Sequence, residues 1–375
     1  MAGLNVNTNT LKIPINNVSE YNQKFTNLFV NDLNKLINKG NYILGDDVLI
    51  FEQKFAKYVG TNYCLGLNSG TSALELSFQS LNLTQNDEII IQANAYIACA
   101  FGALKANAKL KIIDCELNGL FNVNELIANI TENTKAVLVV HLYGDCCNME
   151  QLQNICKNKN IILIEDCAQS LGSKYNGKMI GSYGDISCHS FYPSKNLGAL
   201  GDGGAICTNN IDYYEKIRHL RNLGSTKKYE HNYKGTNSRL DTLHALFLLT
   251  KFDDIDNMIE YKRKMVKLYN ESTHFSHIIN SDINTYHSYH LYVVKLNENI
   301  NRNHFQNYLL ENGIESIIHY KIPFYKTDAF SEFNYLTFVN TEKLANTILS
   351  LPIFNTITEN QINHINDIIS KYIPN

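Results

Sequence analysis

Short β-rich runs alternate with longer amphipathic stretches between about residues 60 and 210. The β-rich runs lie at 89–91, 110–113, 136–140, 161–164 and 204–207. Strand-like runs separated by helical patterns are typical of an α/β domain with a mostly parallel central sheet. Because ligands of such sheets bind beyond the carboxyl ends of the strands, the residues that directly follow these runs are the first candidates for chemistry.

The pattern changes beyond residue 240. An amphipathic stretch without Pro or Gly covers 241–269, and we predict a long helix there that bridges two domains. The elements predicted after it are a strand at 287–295, a helix at 302–311, a strand at 314–319 and a helix at 359–372. This mixture predicts a smaller C-terminal α+β domain. We place the large domain, with the N-terminal segment included, at 1–255 and the small domain at 256–375.

Composition narrows the class of protein. The 375 residues are 44% hydrophobic and carry 33 basic against 36 acidic side chains. A chain of this length exceeds the usual single core, and its balanced charge gives no reason to expect a nucleic acid or an anionic membrane as partner. Residues 1–10 lack the basic start and apolar stretch of a secretory signal, and no window is long and apolar enough to span a membrane. We therefore expect a cytoplasmic protein that binds small molecules.

Cysteine and histidine spacing gives no sign of a metal site. The nine cysteines form no Cys-x-x-Cys pair and mostly fall in apolar or small-residue stretches, which predicts reduced and mostly buried thiols. His141 and His189 lie beside predicted strands, where a structural histidine is the more common state. We predict no metal.

Lys195 lies between small hydroxyl residues and a glycine-rich, nearly uncharged loop, in the run 190–204. A primary amine held in such a turn can lose its proton and condense with an aldehyde, as a solvated surface lysine cannot easily do. Upstream, Asp166 and Gln169 directly follow the apolar run 161–164. A carboxylate at a strand end is what a pyridine nitrogen needs to stay protonated. Together these residues predict a pyridoxal phosphate (PLP) enzyme.

Two further motifs fit the same cofactor. Gly70, Thr71 and Ser72 open a predicted helix after a short strand, and free amides and hydroxyls at a helix start bind phosphate. The alternative is an ordinary helix cap. Tyr96 follows the run 89–91 and is placed to stack on a planar ring, although an aromatic at a strand end is more often part of the core.

The motifs resemble those of the DegT/StrS-type sugar-nucleotide aminotransferases, which are PLP-dependent enzymes of the aspartate aminotransferase fold (fold type I). The resemblance covers nearly the whole chain, and its motifs occur in the family's order. They lie at 40–45, 51–56, 70–74, 165–169, 190–197, 201–204, 235–239 and 313–320.

The resemblance implies a role for each motif. Lys195 would form the Schiff base with PLP and shuttle protons, Asp166 would contact the pyridine nitrogen, and Gln169 would lie near the ring hydroxyl or ring face. The phosphate would be held by Thr71, Ser72 and Ser190.

The family completes its phosphate site with an asparagine from a neighbouring subunit, which corresponds to Asn237. The resemblance therefore implies a homodimer with active sites at the subunit interface. Tyr192, His319 and Tyr320 would line the sugar pocket. Plain structural roles stay open for Asn237 as a helix cap and for His319 as a packed side chain.

The implied reaction transfers the amino group of a donor, expected to be glutamate, to a nucleotide-linked keto sugar. The segments 196–204 and 141–144 favour the branch that aminates C3 of a dTDP-3-oxo-6-deoxyhexose, as in the synthesis of deoxyamino sugars for O-antigen and lipopolysaccharide. At 145–147 and at 324–325 the residues differ from those usual in that branch, and both segments lie near the expected sugar site. Amination at C4 or of a UDP-acetamido sugar is the alternative.

Two other classes are disfavoured by the same motifs. A non-catalytic PLP-binding regulator would not need Lys195, Asp166 and Gln169 together, and the chain has no added DNA-binding segment. A deoxygenating dehydratase of this fold characteristically carries histidine in place of the lysine.

Overall fold

The computed structural model describes residues 12–272, 275–277 and 284–374. The N-terminal segment 1–11 of the predicted large domain lies outside these ranges. The α-helices of the described ranges are α1 Val18–Gln23, α2 Thr26–Lys39, α3 Asp46–Val59, α4 Gly70–Ser80, α5 Ile97–Leu104, α6 Val123–Asn129, α7 Met149–Lys159, α8 Ile211–Leu220, α9 Thr242–Lys251, α10 Ile255–Ser272, α11 Arg302–Glu311, α12 Val339–Thr347 and α13 Glu359–Ser370. Short 3₁₀ helices are Phe252–Asp254, Phe324–Lys326 and Asp328–Phe333.

The strands group into one large and three small sheets. They are β1 Tyr63–Leu67, β2 Glu88–Gln92, β3 Lys109–Ile113, β4 Thr134–Val140, β5 Ile162–Asp166, β6 Lys174–Tyr175, β7 Lys178–Met179, β8 Ile186–Ser190, β9 Gly204–Thr208, β10 Ser225–Lys227, β11 Glu230–His231, β12 Ser276–His277, β13 Thr285–Tyr286, β14 Tyr292–Lys295 and β15 Ile348–Leu351.

The large sheet has seven strands in the order β1-β9-β8-β5-β4-β2-β3. All neighbours are parallel except β9, which runs antiparallel to both β1 and β8. The predicted α/β class with a mostly parallel sheet is therefore confirmed. The antiparallel direction of β9 was not predicted, because strand direction is set by the connections and not by the strand's own pattern.

Both faces of this sheet are buried, as the continuous apolar runs indicate. Along β4, Ala136, Leu138 and Val140 pack into one apolar cluster with α4 and α5. The alternate residues Val137 and Val139 pack into another cluster with α6 and α7. Helices on both faces leave the ends of the strands as the place where a ligand reaches the sheet.

The predicted helix at 241–269 is interrupted. Helix α9 ends at Lys251, the 3₁₀ turn Phe252–Asp254 follows, and α10 then continues to Ser272. Lys251 turns inward to donate to the carbonyl oxygen of Gly198, 2.5 Å away, and Phe252 packs edge-on against Phe51 at a centroid distance of 6.2 Å. These tertiary contacts explain a break that periodicity could not reveal.

The C-terminal elements form a third core, in which α10, α11 and α13 pack on β14 and β15. The helices predicted at 302–311 and 359–372 are confirmed as α11 and α13. The strand predicted at 287–295 starts only at Tyr292, and 314–319 makes isolated bridges at Ile314 and Ile317 in place of a strand. The division of the chain at residue 255 stays a prediction.

All nine cysteines are free and buried, as predicted. Among the helices of the described ranges, none is both long and apolar enough to cross a bilayer.

Candidate active site

A cavity of about 320 Å³ opens where β4, β5 and β8 end. Their last residues, Val140, Asp166 and Ser190, all line it. Cys188 and His189 of β8 also line it, and the other lining residues come from loops and helices, namely Ser69, Gly70, Thr71, Leu74, Tyr96, Ala98, Ala168, Gln169, Tyr192, Lys195, Asp202 and Tyr320. The sheet thus brings together nine of the twelve predicted site residues; Ser72, Asn237 and His319 do not line the cavity.

Lys195 projects into the cavity from the loop after β8. A turn holds its backbone, because the Lys195 amide donates to the carbonyl oxygen of Tyr192 over 2.8 Å. Burial lowers the pKa of the Lys195 ammonium to about 8, against an opposing effect of the Asp166 carboxylate and the Cys99 thiol. An amine with this pKa is substantially neutral near pH 8, which is the form that acts as a nucleophile or a base.

Asp166 is buried and only partly satisfied by the protein. Its Oδ1 accepts from the Ala168 amide at 2.9 Å, and its Oδ2 accepts from the Cys99 thiol at 3.0 Å. A carboxylate oxygen can accept more than one hydrogen bond, so the group can still receive a donor from the cavity. Sequence reasoning missed Cys99, because only the packing of α5 against the sheet brings it to Asp166.

The amino terminus of α4 faces the same cavity. Ser69 caps the helix by accepting from the Ser72 amide over 3.1 Å, which leaves the amides of Gly70 and Thr71 at the helix start. A Cβ atom on Gly70 would lie 2.8 Å from Cβ of Ser190, so glycine at this position lets Ser190 approach the helix start closely. Ser69 is thus the cap, and Ser72, expected at the phosphate, belongs to the capping contact.

Three aromatic and amide side chains form one wall. The side chain of Gln169 accepts from the Tyr143 amide at 2.8 Å and donates to the Tyr320 hydroxyl at 2.9 Å. The ring of Tyr96 lies 5.4 Å from that of Tyr320, centroid to centroid. This network fixes Gln169 and Tyr320, and Tyr96, half-exposed at the cavity, presents its face to a planar ligand.

Of the three residues predicted to line the sugar pocket, two line the cavity and one does not. Tyr192 and Tyr320 line the cavity, and Tyr192 is 55% exposed at its mouth. His319 points away, with Nδ1 hydrogen-bonded to the Ser350 hydroxyl at 2.8 Å and its pKa lowered to about 4 by burial and by Lys195. Its carbonyl oxygen accepts from the Tyr143 hydroxyl. The geometry thus favours the packed alternative for the His319 ring.

Asn237 lies outside the cavity of its own chain. It is exposed and pairs as an isolated bridge with Asn222. The departures at 145–147 and 324–325 are also absent from the cavity wall, because Asp145, Cys146, Cys147, Phe324 and Tyr325 are all buried in the interior.

A buried group beneath the cavity has the composition of a metal site. One ligand atom each from His141, Glu165 and Cys167 lies within 4.8 Å of the others. Glu165, however, accepts from His141 Nε2 at 3.2 Å and from the amides of Gly181, Tyr183 and Gly184. Nδ1 of His141 accepts from the Cys147 amide, so both ring nitrogens form hydrogen bonds within the protein. These hydrogen bonds connect neighbouring loops, which is a structural role.

The residues on the cavity wall fit pyridoxal phosphate. The Lys195 amine has a lowered pKa, and the Asp166 carboxylate at the end of β5 can accept a further hydrogen bond. The start of α4 presents backbone amides that can bind an anion. Ser190 packs closely against Gly70, and both residues line the cavity, so a hydroxyl stands beside the amides of the helix start.

Comparison with known proteins agrees with this geometry. The model of the DegT/DnrJ/EryC1/StrS aminotransferase family matches residues 23–370. The chain is 39% identical over 364 residues to the dTDP-3-amino-3,6-dideoxy-alpha-D-galactopyranose transaminase of Aneurinibacillus thermoaerophilus, covering 96% of this chain and 99% of that one. It is 33% identical over 347 residues to a UDP-N-acetyl-3-dehydro-alpha-D-glucosamine 3-aminotransferase of Acidithiobacillus ferrooxidans, covering 90% and 92%.

The fold is shared with solved structures of sugar aminotransferases. S. venezuelae DesV, solved in complex with a ketimine intermediate, superposes with a TM-score of 0.90 at 28% identity, covering 97% of this chain and all of that one. Together with the family match over most of the chain, this confirms the predicted fold, the cofactor and the reaction class. The chain belongs to the DegT/DnrJ/EryC1/StrS aminotransferase family and is a PLP-dependent sugar-nucleotide aminotransferase.

Proposed function

We propose that the protein aminates C3 of a dTDP-linked 3-oxo-6-deoxyhexose, with glutamate as amino donor, to give a dTDP-3-amino-3,6-dideoxyhexose. The observation that carries the proposal is the convergence of Lys195, Asp166 and the start of α4 on one cavity. The choice of sugar is supported by the 39% identity to the A. thermoaerophilus transaminase.

When bound, pyridoxal phosphate supplies an electron sink that makes the hydrogen on the amine-bearing carbon acidic. Lys195 is the base for that hydrogen: its free amine takes the proton at Nζ and returns it to the other carbon of the reacting system. In the second half of the reaction Lys195 moves a proton in the opposite direction. A pKa of about 8 suits an amine that must accept and release a proton in one cycle.

Asp166 would keep the pyridine nitrogen protonated, since a neighbouring carboxylate favours the charged form. Cys99 and the Ala168 amide fix the orientation of that carboxylate from the protein side. The amides of Gly70 and Thr71, with the Ser190 hydroxyl, would hold the phosphate, and Tyr96 would contact the ring. Tyr192, at the mouth, would contact the sugar nucleotide.

We propose that the active form is a homodimer in which Asn237 of one subunit completes the phosphate site of the other. An exposed apolar surface supports this assembly: Ile43, Leu44 and Leu243 are all more than one-third exposed. It lies beside the Asn237 loop, because Ile43 bridges Asp241 and the Thr242 amide donates to the carbonyl oxygen of Tyr42. Exposed apolar surface of this kind marks a protein interface, and a second copy is the occupant that would bring Asn237 to a cavity.

Asn237→Ala is expected to weaken cofactor retention without unfolding the chain. Loss of one hydrogen bond to a phosphate raises the dissociation constant for pyridoxal phosphate by about tenfold or more. Equilibrium dialysis of the apoprotein measures it. Asn232→Ala, an exposed asparagine in the same loop whose amide donates to Gly224, is the matched control. Equal cofactor affinity in both variants would remove Asn237 from the site.

Product analysis tests the substrate. With glutamate and the enzymatically generated dTDP-3-oxo-6-deoxyhexose, we expect an amine at C3, identified by NMR of the product. Parallel reactions with a 4-oxo sugar and with a 3-oxo UDP-acetamido sugar are expected to be at least about tenfold slower, the discrimination that a fitted pocket commonly achieves. Faster turnover of either alternative would replace the proposed substrate. Replacing glutamate by glutamine or aspartate tests the donor in the same assay.

We further propose a cytoplasmic location, because nine free and buried thiols suit a reducing compartment. A fluorescent fusion expressed in the source cells, with fractionation of cytoplasm and envelope, measures it.

A further inference from the structure

A second, smaller chamber lies behind Lys195, on the side away from the open cavity. Its volume is about 20 Å³, and Lys195, Lys262, His290 and Asn355 are among the residues that line it. Lys195 is the residue that lines both cavities. The roles proposed above for the open cavity make no use of this chamber.

His290 is the residue of the chamber that touches the amine. Its Nε2 lies 3.4 Å from Nζ of Lys195. The ring is buried, and it precedes strand β14 in an irregular segment that the sequence pattern assigned to a strand. Burial holds the pKa of His290 well below its ordinary value, and the facing cations Lys195 and Lys262, together with His319, lower it further. The imidazole is therefore neutral.

A neutral imidazole has one nitrogen that donates and one that accepts. An ammonium at Lys195 has no lone pair and can only donate to Nε2, which places the ring proton on Nδ1. Within the described residues Nδ1 of His290 has no hydrogen-bond partner, and the same holds for the buried Oδ1 of Asn355, a residue of the same chamber. A donor and an acceptor thus lack partners around one small space.

The size of that space matches a water molecule. A site needs roughly 10–15 Å³ to take one water, which must find two to four polar partners. The chamber offers about 20 Å³, and two of its lining residues, His290 and Asn355, carry the unpartnered atoms Nδ1 and Oδ1. The Nζ atom of Lys262, which donates to Asn196 at 2.6 Å, has further hydrogens for a third contact.

We propose that His290 is a positioning residue for Lys195: its Nε2 accepts a hydrogen from the free amine, and its Nδ1 donates to a water in the rear chamber shared with Asn355. One N–H of Lys195 is then held at the rear, and the lone pair is available on the cavity side, where the substrate carbon stands. The inference rests on the proposed role of Lys195 as base, but the contact itself exists in the cofactor-free protein.

The titration of Lys195 in the apoprotein tests the contact independently of turnover. Pulse labelling with acetic anhydride over a pH series, followed by mass spectrometry of the Lys195 peptide, gives the midpoint of amine deprotonation. In His290→Leu the ammonium loses an acceptor, and we expect the midpoint to fall by about one pH unit. His290→Gln, which retains an acceptor oxygen, is expected to stay close to the unmodified protein.

The direction of the shift separates positioning from packing. If His290 only fills space, His290→Leu admits water and the midpoint rises towards the ordinary lysine value; a rise or no change overturns the proposal. Asp166, Cys99 and His319, which also face Lys195, are unchanged in these variants. The matched control is His287→Asn, which removes a neighbouring buried imidazole but keeps an acceptor for the Tyr289 amide, and it is expected to leave the midpoint in place.

If His290→Leu fails to fold, a measurement on the unmodified protein tests the same contact between His290 and Lys195. Nitrogen NMR of histidine-labelled apoprotein, with the His290 signal assigned through its absence in His290→Gln, reports the ring form directly. We expect a neutral ring protonated at Nδ1 across pH 6 to 8, a range around the ordinary histidine pKa of about 6.5. A ring protonated at Nε2, or an imidazolium, overturns the proposal. A chain that transfers no amino group but shows this tautomer would refute the proposed function and leave the contact intact.

Discussion

Lys195→Ala is expected to lower the rate of amino transfer by about 10⁴-fold or more. The variant loses both the amine that links the protein to the cofactor and the base that moves the proton, and general base catalysis alone contributes about 10²- to 10⁴-fold. The substituted side chain lines an open cavity, so the fold has little reason to change. Steady-state turnover of glutamate and keto sugar measures the effect, and the absorption spectrum with pyridoxal phosphate shows whether the cofactor is still linked to the protein.

The matched control is Lys216→Met. Lys216 is also half-buried and burial also lowers its pKa, but its ammonium contacts the carbonyl oxygen of Ser80, at the end of α4 opposite to the cavity. We expect this variant to retain turnover within about threefold, as surface changes away from a site commonly do. Turnover of Lys195→Ala equal to that of Lys216→Met would contradict the assignment of the base.

Asp166→Asn is expected to lower turnover by about 10²- to 10³-fold while changing the free energy of unfolding by about 1 kcal/mol or less. Asparagine keeps an oxygen for the Ala168 amide, but it is neutral and no longer favours a protonated pyridine nitrogen. The loss should appear in both half-reactions, which single-turnover absorption measurements with glutamate and with keto sugar separate.

Asp185→Asn offers the comparison. Asp185 is a carboxylate next to the opposite end of β5, where its Oδ2 accepts from the Leu163 amide at 2.8 Å. It does not line the cavity. We expect this change to affect stability more than turnover, the reverse of Asp166→Asn. If Asp166→Asn destabilises the fold as much as it slows the reaction, Asp166 is a structural residue.

Much of the fold is readable in the sequence because the relevant signals are local. The runs at 89–91 and 136–140 lie within β2 and β4, since a strand buried on both faces is apolar throughout, and the run at 110–113 lies within the edge strand β3. The helix at 302–311 begins and ends as predicted, with Asn301 accepting from the His304 amide as its cap. The break at Phe252–Asp254 and the missing strand at 314–319 depend on contacts with distant residues, such as Lys251 with Gly198 and Ile314 with Ile13.

In the candidate site, too, some residues could be predicted from local sequence signals and others depend on contacts between distant segments. Lys195, Asp166 and Gly70 stand at strand ends and a helix start, and parallel strands carry such positions to one edge of the sheet. Cys99 and His290 have no local signature: the first meets Asp166 through helix packing, and the second reaches Lys195 from a segment 95 residues away.

The sequence by itself determined the α/β class, the cofactor and the family, because these follow from periodicity and from short motifs whose spacing is fixed within one strand-loop-helix unit. Only the tertiary structure decided which predicted residues share the cavity: it turned the His319 ring towards Ser350, left Asn237 on the surface and set His290 behind Lys195. The physical reason is that a side chain's partners are chosen by packing between distant segments, and no local pattern of the chain encodes that choice.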